Sequence, residues 1–214
     1  MGKVLATLGL GIGLIALPLQ AALTIPLRMA NGHNAFEAVI FLLSFFTVLS
    51  NIAAVLGYAG ILFPGRFRLF DAMTGRLARA AVACCIAVVG LVYATVLAKI
   101  WAPEGLFWLC DILLHYVAPT IYVFWWAIWG RDGGLIWSEA IKLLPAPLFY
   151  LAYALTRGAL TGTYPYPFLD ATSLGSAQVA LNCLGVAALF LIISLIAVAI
   201  DRTIPLSRHF RDRS

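Results

Sequence analysis

At 214 residues, 63% of them hydrophobic and 11% charged, with a mean hydropathy of +0.99, this chain carries more apolar surface than a water-soluble domain of its size can cover. Its long apolar runs lack ten-residue alternation, which excludes a β-barrel and leaves helices, the other way to satisfy a backbone in lipid. The net charge of +5 reads as a topology device and a contact with anionic headgroups, not as a nucleic-acid footprint.

The expected fold is an all-α membrane protein, a single integral domain over 1–214 with six spans at about 4–24, 36–62, 77–98, 107–129, 137–157 and 178–201. Each approaches or exceeds the ~20 residues that cross ~30 Å of hydrocarbon. The first follows Lys3 but is too long for a signal-peptide core, and no small-x-small cleavage site precedes Thr24. It reads as a retained helix.

Span 2 carries "LLSFFTVLSNIAAVL", in which Ser44, Thr47 and Asn51 share one helical stripe and Ser50 lies slightly off it. Such a stripe serves either chemistry or hydrogen bonding between helices. After it, "FPGRFRLFDAMTGRLAR" is a basic turn with Pro64 and Gly65 ending the helix. Cys84, Cys85, Cys110 and Cys183 lie inside spans without metal or disulfide spacing and read as small hydrophobes.

Span 4 holds His115, the one histidine within a span, with Asp111 four residues earlier on the same helix face. Ionisable groups in lipid are costly and point to function, although a buried hydrogen bond between helices is the alternative. The run "YVFWWAIW" further along fits an interfacial aromatic belt. Between spans 5 and 6 lies a long connection containing "TGTYPYPFLD", and the chain ends in a polar "RHFRDRS" with a solvated His209.

Orientation follows from the basic residues. Eleven of the 14 fall on the side of the two termini, and only Arg28, Lys99 and Arg157 fall on the other. Both termini are therefore expected in the cytoplasm. On that topology Thr47 lies roughly 15 Å and His115 about 10 Å below the outer boundary, at 1.5 Å per residue. A hydroxyl and an imidazole at comparable depth are the minimum parts of a base-activated nucleophile. A single in-span histidine gives poor support for a metal or a haem, so no cofactor is expected.

"FFTVLSN" in span 2, His115 with Pro119 one turn on, and "TGTYPYPFLD" before span 6 together resemble the androgen-induced and androgen-dependent transmembrane protein family, in particular its bacterial branch of small six-helix proteins. The loop carries the sharpest match: Thr161-Gly162, an aromatic at Tyr164, then Tyr166-Pro167-Phe168-Leu169 and the acid Asp170. The animal members are threonine hydrolases that cleave fatty acid esters of hydroxy fatty acids. The resemblance implies Thr47 as nucleophile, His115 as base, a lipid-ester substrate with membrane lipids as partners, and a bacterial inner membrane. In this chain the proline follows the histidine one residue earlier than in the animal pattern, and the animal members have an amide where Asp111 stands.

Asp111 as the group that orients His115 is thus an expectation from spacing alone. Asn51 and Ser44 are expected as oxyanion donors, since N–H groups inside a regular helix are already occupied. Arg157 is placed to bind a substrate carboxylate or to snorkel to headgroups. Tyr164, Tyr166, Phe168 and Asp170 are expected as the rim of a lipid pocket, with no catalytic part. Two other functions stay open: a proton-coupled carrier using Asp111 and His115, which the expected absence of an inverted repeat and of broken helices disfavours, and a non-catalytic membrane scaffold.

Overall fold

The computed structural model describes residues 1–203; the tail with His209 lies outside them. All regular structure among these residues is helical. In chain order the helices are α1 (Gly2–Ala30), α2 (Ala35–Leu42), α3 (Phe46–Leu62), α4 (Arg68–Met73) and α5 (Arg76–Thr95). Then come α6 (Gly105–Gly130), α7 (Glu139–Lys142), α8 (Pro145–Thr161), α9 (Ala171–Leu174) and α10 (Ser176–Asp201). Within α6 two turns are π-helical, Leu113–Val117 and Trp126–Gly130.

Four helices are long and apolar enough to cross a membrane, and α2 with α3 makes a fifth if that bent pair is one span. The expected span 137–157 is not among them. Its helix begins at Pro145, whose ring suits the first helical position, and α8 has 17 residues. The expected first span, 4–24, runs on to Ala30.

The largest departure is in span 2, expected as one helix over 36–62. Instead α2 and α3 meet at an angle of 76° across Leu43–Phe45. Asn34 opens α2 with a capping box: its Oδ1 accepts from Glu37 N–H (2.9 Å), and Glu37 Oε2 accepts from Asn34 N–H (3.1 Å). At the other end the Ser44 hydroxyl donates to Phe41 O (2.6 Å) and the Tyr150 hydroxyl donates to Ser44 O (2.9 Å). Phe45 is extended (φ −86°, ψ 125°), so α3 starts afresh at Phe46. No glycine or proline stands at this break; the Tyr150 bond from α8 braces it.

Two apolar clusters frame that start. One joins α3, α5, α6 and α10 through Ala54, Tyr58, Ile86, Tyr122 and Phe190, all under 5% exposed. Here α1 lies close on α3: a Cβ on Gly9 would stand 2.3 Å from the Tyr58 ring, the close approach small residues allow in membrane helices. The other cluster packs Tyr150, Leu151 and Ala154 of α8 against Tyr166 and Leu169. It pulls the 163–170 loop into the bundle. At the opposite end of α6, buried Asp201 accepts N–H bonds from Asp132, Gly133 and Leu135 and fixes that connection.

Candidate active site

Thr47 is the second residue of α3 and is 6% exposed. Its Oγ1 lies 3.1 Å from His115 Nε2. On the far side of the ring, Nδ1 is 3.1 Å from Asp111 Oδ1 and 3.1 Å from the Asp111 carbonyl. The Tyr93 hydroxyl donates to Asp111 Oδ2, and the Tyr93 ring stacks on the imidazole (centroids 3.9 Å apart, 16° between planes). With Nδ1–H donating to Asp111, the Nε2 lone pair faces the threonine hydroxyl. That is the tautomer a proton acceptor needs.

The π-turn positions this ring. Ala118 N–H bonds to Leu113 O, five residues back, and Pro119, which would serve Leu114 O in the same pattern, has no N–H. Leu114 O is instead taken by Asn51 Nδ2 at 3.1 Å, and the same nitrogen donates to Thr47 O at 2.8 Å. Asn51 therefore ties the helix of Thr47 to that of His115. Gly90 admits the close pass of α5, since a Cβ there would stand 3.3 Å from His115 O.

Asn51 and Ser44, expected as oxyanion donors, are bonded elsewhere. Both Asn51 bonds go to carbonyls and the Ser44 hydroxyl goes to Phe41 O, so neither aims a free donor at Thr47. The expectation assumed an unbroken span. With α3 starting at Phe46, the N–H groups of Phe46, Thr47 and Val48 have no acceptor within their helix. Thr47 N–H donates to the Tyr166 hydroxyl at 3.3 Å, and that hydroxyl is 3.4 Å from Thr47 Oγ1.

Tyr166, expected at the pocket rim, lines a large cavity beside Thr47. It is buried, with Phe168 stacked on it (5.2 Å, 3°) and Phe45 edge-on at 5.9 Å. Tyr164 packs over Gly158, where a Cβ would stand 2.2 Å from its ring. Asp170 caps α9, accepting from Thr172 N–H (2.9 Å), Ser173 N–H (3.3 Å) and the Thr172 hydroxyl (2.5 Å). These bonds, the Thr172 hydroxyl first, hold its carboxyl below the usual carboxylate range.

Thr47, Asp111 and His115 border a cavity of ≈ 700 Å³, also lined by Arg28, Tyr164 and Asp170. That volume is in the range of small-ligand sites. Arg157, expected here, is turned elsewhere: its Nη1 donates to Thr163 O (2.9 Å) and its guanidinium lies 5.6 Å from the Phe41 ring centre. Arg28 takes the position, 4.3 Å over the same ring. Among the described residues, no three His, Cys, Asp or Glu side chains converge as a metal-ligand set.

Comparison of the chain with family models, with curated proteins and with solved structures finds no match in any of the three. What the fold defines is an all-helical protein whose apolar helices are compatible with a multi-pass membrane protein. Its chemistry is read from the side chains themselves.

Proposed function

We propose that the protein is an intramembrane lipid-ester hydrolase with Thr47 as nucleophile and His115 as base. The observation that carries this reading is the 3.1 Å contact between Thr47 Oγ1 and His115 Nε2, with Asp111 on the other ring nitrogen. A nucleophile, its base and an orienting third group is the arrangement that activates a hydroxyl. His115 takes the Thr47 proton as Oγ1 attacks the ester carbonyl. The same proton leaves on the departing alkoxide, and water then hydrolyses the acyl-threonine.

The oxyanion falls to Thr47 N–H and the Tyr166 hydroxyl, whose 3.3 Å bond to each other beside Oγ1 opens to admit it. A substrate carboxylate would meet Arg28 at the cavity wall. The resemblance of "FFTVLSN", His115 and "TGTYPYPFLD" to the threonine hydrolases suggests fatty acid esters of hydroxy fatty acids or related lipid esters. With that reading go six spans, counting α2–α3 and α8, both termini in the cytoplasm, and a bacterial inner membrane.

A proton-coupled carrier gains one argument from the broken span 2. Its relay, however, needs only Asp111 and His115 and gives Thr47 no task. Purified protein, Thr47→Ala and His115→Ala are to be incubated with long-chain lipid esters and a hydroxyl-directed electrophile. Turnover and labelling are expected in the wild type and lost in both variants. A wild type that neither labels nor turns over any ester removes the hydrolase reading.

A further inference from the structure

Once the alcohol has left, the proposed acyl-threonine stands at the wall of the ≈ 700 Å³ cavity, because Thr47 and His115 both border it. The proton that His115 Nε2 gives to the departing oxygen fixes where that oxygen was: within hydrogen-bond reach of the ring, at the same wall. Phe41, Phe45, Trp101, Phe107 and Leu114 give the cavity apolar stretches. Arg28 supplies a cation. It lies 4.3 Å over the Phe41 ring, and its Nε is buried without a hydrogen-bond partner. Among the described residues no carboxylate comes within ion-pair distance of it.

We propose that a second hydroxy lipid, as well as water, resolves the acyl-threonine, so that the protein is also a transacylase moving acyl groups between long-chain hydroxy carboxylic acids. The proposal rests on the hydrolase reading and adds an activity to it. The room that the departing alcohol vacates fits another alcohol of its own kind. An acceptor with its carboxylate on Arg28 and its chain along the apolar stretches brings its hydroxyl to the place the leaving oxygen held. Its O–H proton passes to His115 Nε2 as its oxygen bonds to the acyl carbon. The carbon–Oγ1 bond then breaks, and the proton returns to Oγ1. This is the acylation step run backwards with a new alcohol, and it needs no further residue. Water uses the same base but gains nothing from the cation, and apolar walls favour a hydrocarbon chain over it. A hydroxyl held in line with the carbonyl also gains in effective concentration, to about 10⁵ M or more where alignment is good.

The test gives the detergent-purified protein the palmitoyl ester of methyl hydroxystearate as a neutral acyl donor and deuterated hydroxystearic acid as acceptor. Mass spectrometry measures deuterated palmitoyloxystearic acid, the product of transfer, against free palmitate, the product of hydrolysis. Transfer is expected at least to equal hydrolysis. The ratio is expected to fall about tenfold when the acceptor is the deuterated methyl ester, the order of a lost hydrogen bond to a charged group. Arg28→Gln with the free acid is expected to lower it similarly, with thermal unfolding confirming that the variant folds. Palmitate release without deuterated ester overturns the proposal and leaves the hydrolase reading standing. Equal transfer to the acid and to its methyl ester overturns the choice of a hydroxy acid as acceptor. Neither product, with no labelling of Thr47 by the hydroxyl-directed electrophile, overturns both readings.

Discussion

The hydroxyl of Tyr166 lies 3.3 Å from the backbone nitrogen of Thr47 and 3.4 Å from its side-chain oxygen, across 119 positions of sequence. One phenol thus touches both the group proposed to attack and an N–H that its own helix leaves without an acceptor. Tyr166→Phe keeps the packing against Phe45 and Phe168 and removes only the hydroxyl. It is expected to lower kcat about 10²-fold, the order found for a lost oxyanion donor, with KM little changed. Steady-state kinetics on a single ester decides it; an unchanged kcat would confine Tyr166 to packing.

Asp111 and Tyr93 form the other end of the chain of bonds. Asp111→Asn is expected to fold and to lose about 10²–10⁴ in kcat, because an amide can present its donor to Nδ1 and reverse the tautomer. Tyr93→Phe leaves the carboxylate in place and removes one bond to it. Its expected loss is about tenfold, smaller than that of Asp111→Asn. Rates for the two variants and the double variant measure the coupling; equal losses in the single variants would contradict this order.

On the proposed mechanism Asn51 positions Thr47 against His115. Asn51→Ala removes the donor shared by Thr47 O and Leu114 O, both buried, and an unpaired buried polar group costs about 1–3 kcal/mol. Both the thermal midpoint and kcat are expected to fall. A fall in kcat with no loss of stability would return Asn51 to the oxyanion role that its geometry argues against.

Arg28 and Arg157 share Phe41 but face different surroundings. Arg28→Gln is expected to raise KM about tenfold for an ester bearing a free carboxylate, the order expected of a hydrogen bond to a charged group. KM for the same compound as its neutral methyl ester should not move. Arg157→Gln is expected to leave both values unchanged and to loosen the 163–170 loop, measured as faster limited proteolysis there. A reversed pattern would place the carboxylate at Arg157.

The residues of the candidate site were visible as polar groups in apolar runs. Thr47, His115 and Asp111 announce themselves by the cost of placing such groups in apolar runs, and the four-residue contact of Asp111 with His115 survives the π-turn that contains His115. The break at Leu43–Phe45 had no such signal, because nothing in "LLSFFTVL" interrupts a helix. Tyr150 from α8 supplies the bond that holds it. Tyr166 was hidden for a related reason: proline-rich aromatic loops suit the headgroup level, and only the cluster around Leu169 and Tyr150 draws this one inward. Arg28 and Arg157 lie on the same side in any topology drawn from sequence, so choosing between them required the cavity.

Because the start of α3 is propped open from α8 and from the loop beyond it, the arrangement around Thr47 is completed late in biosynthesis. A nascent chain that has emerged through α6 already contains Thr47, Asn51 and His115. It still lacks Tyr150 to hold the break and Tyr166 to meet the freed N–H. The ribosome must add more than a hundred residues after the threonine before its surroundings exist, so the threonine acquires its contact with Tyr166 only when the bundle is nearly whole.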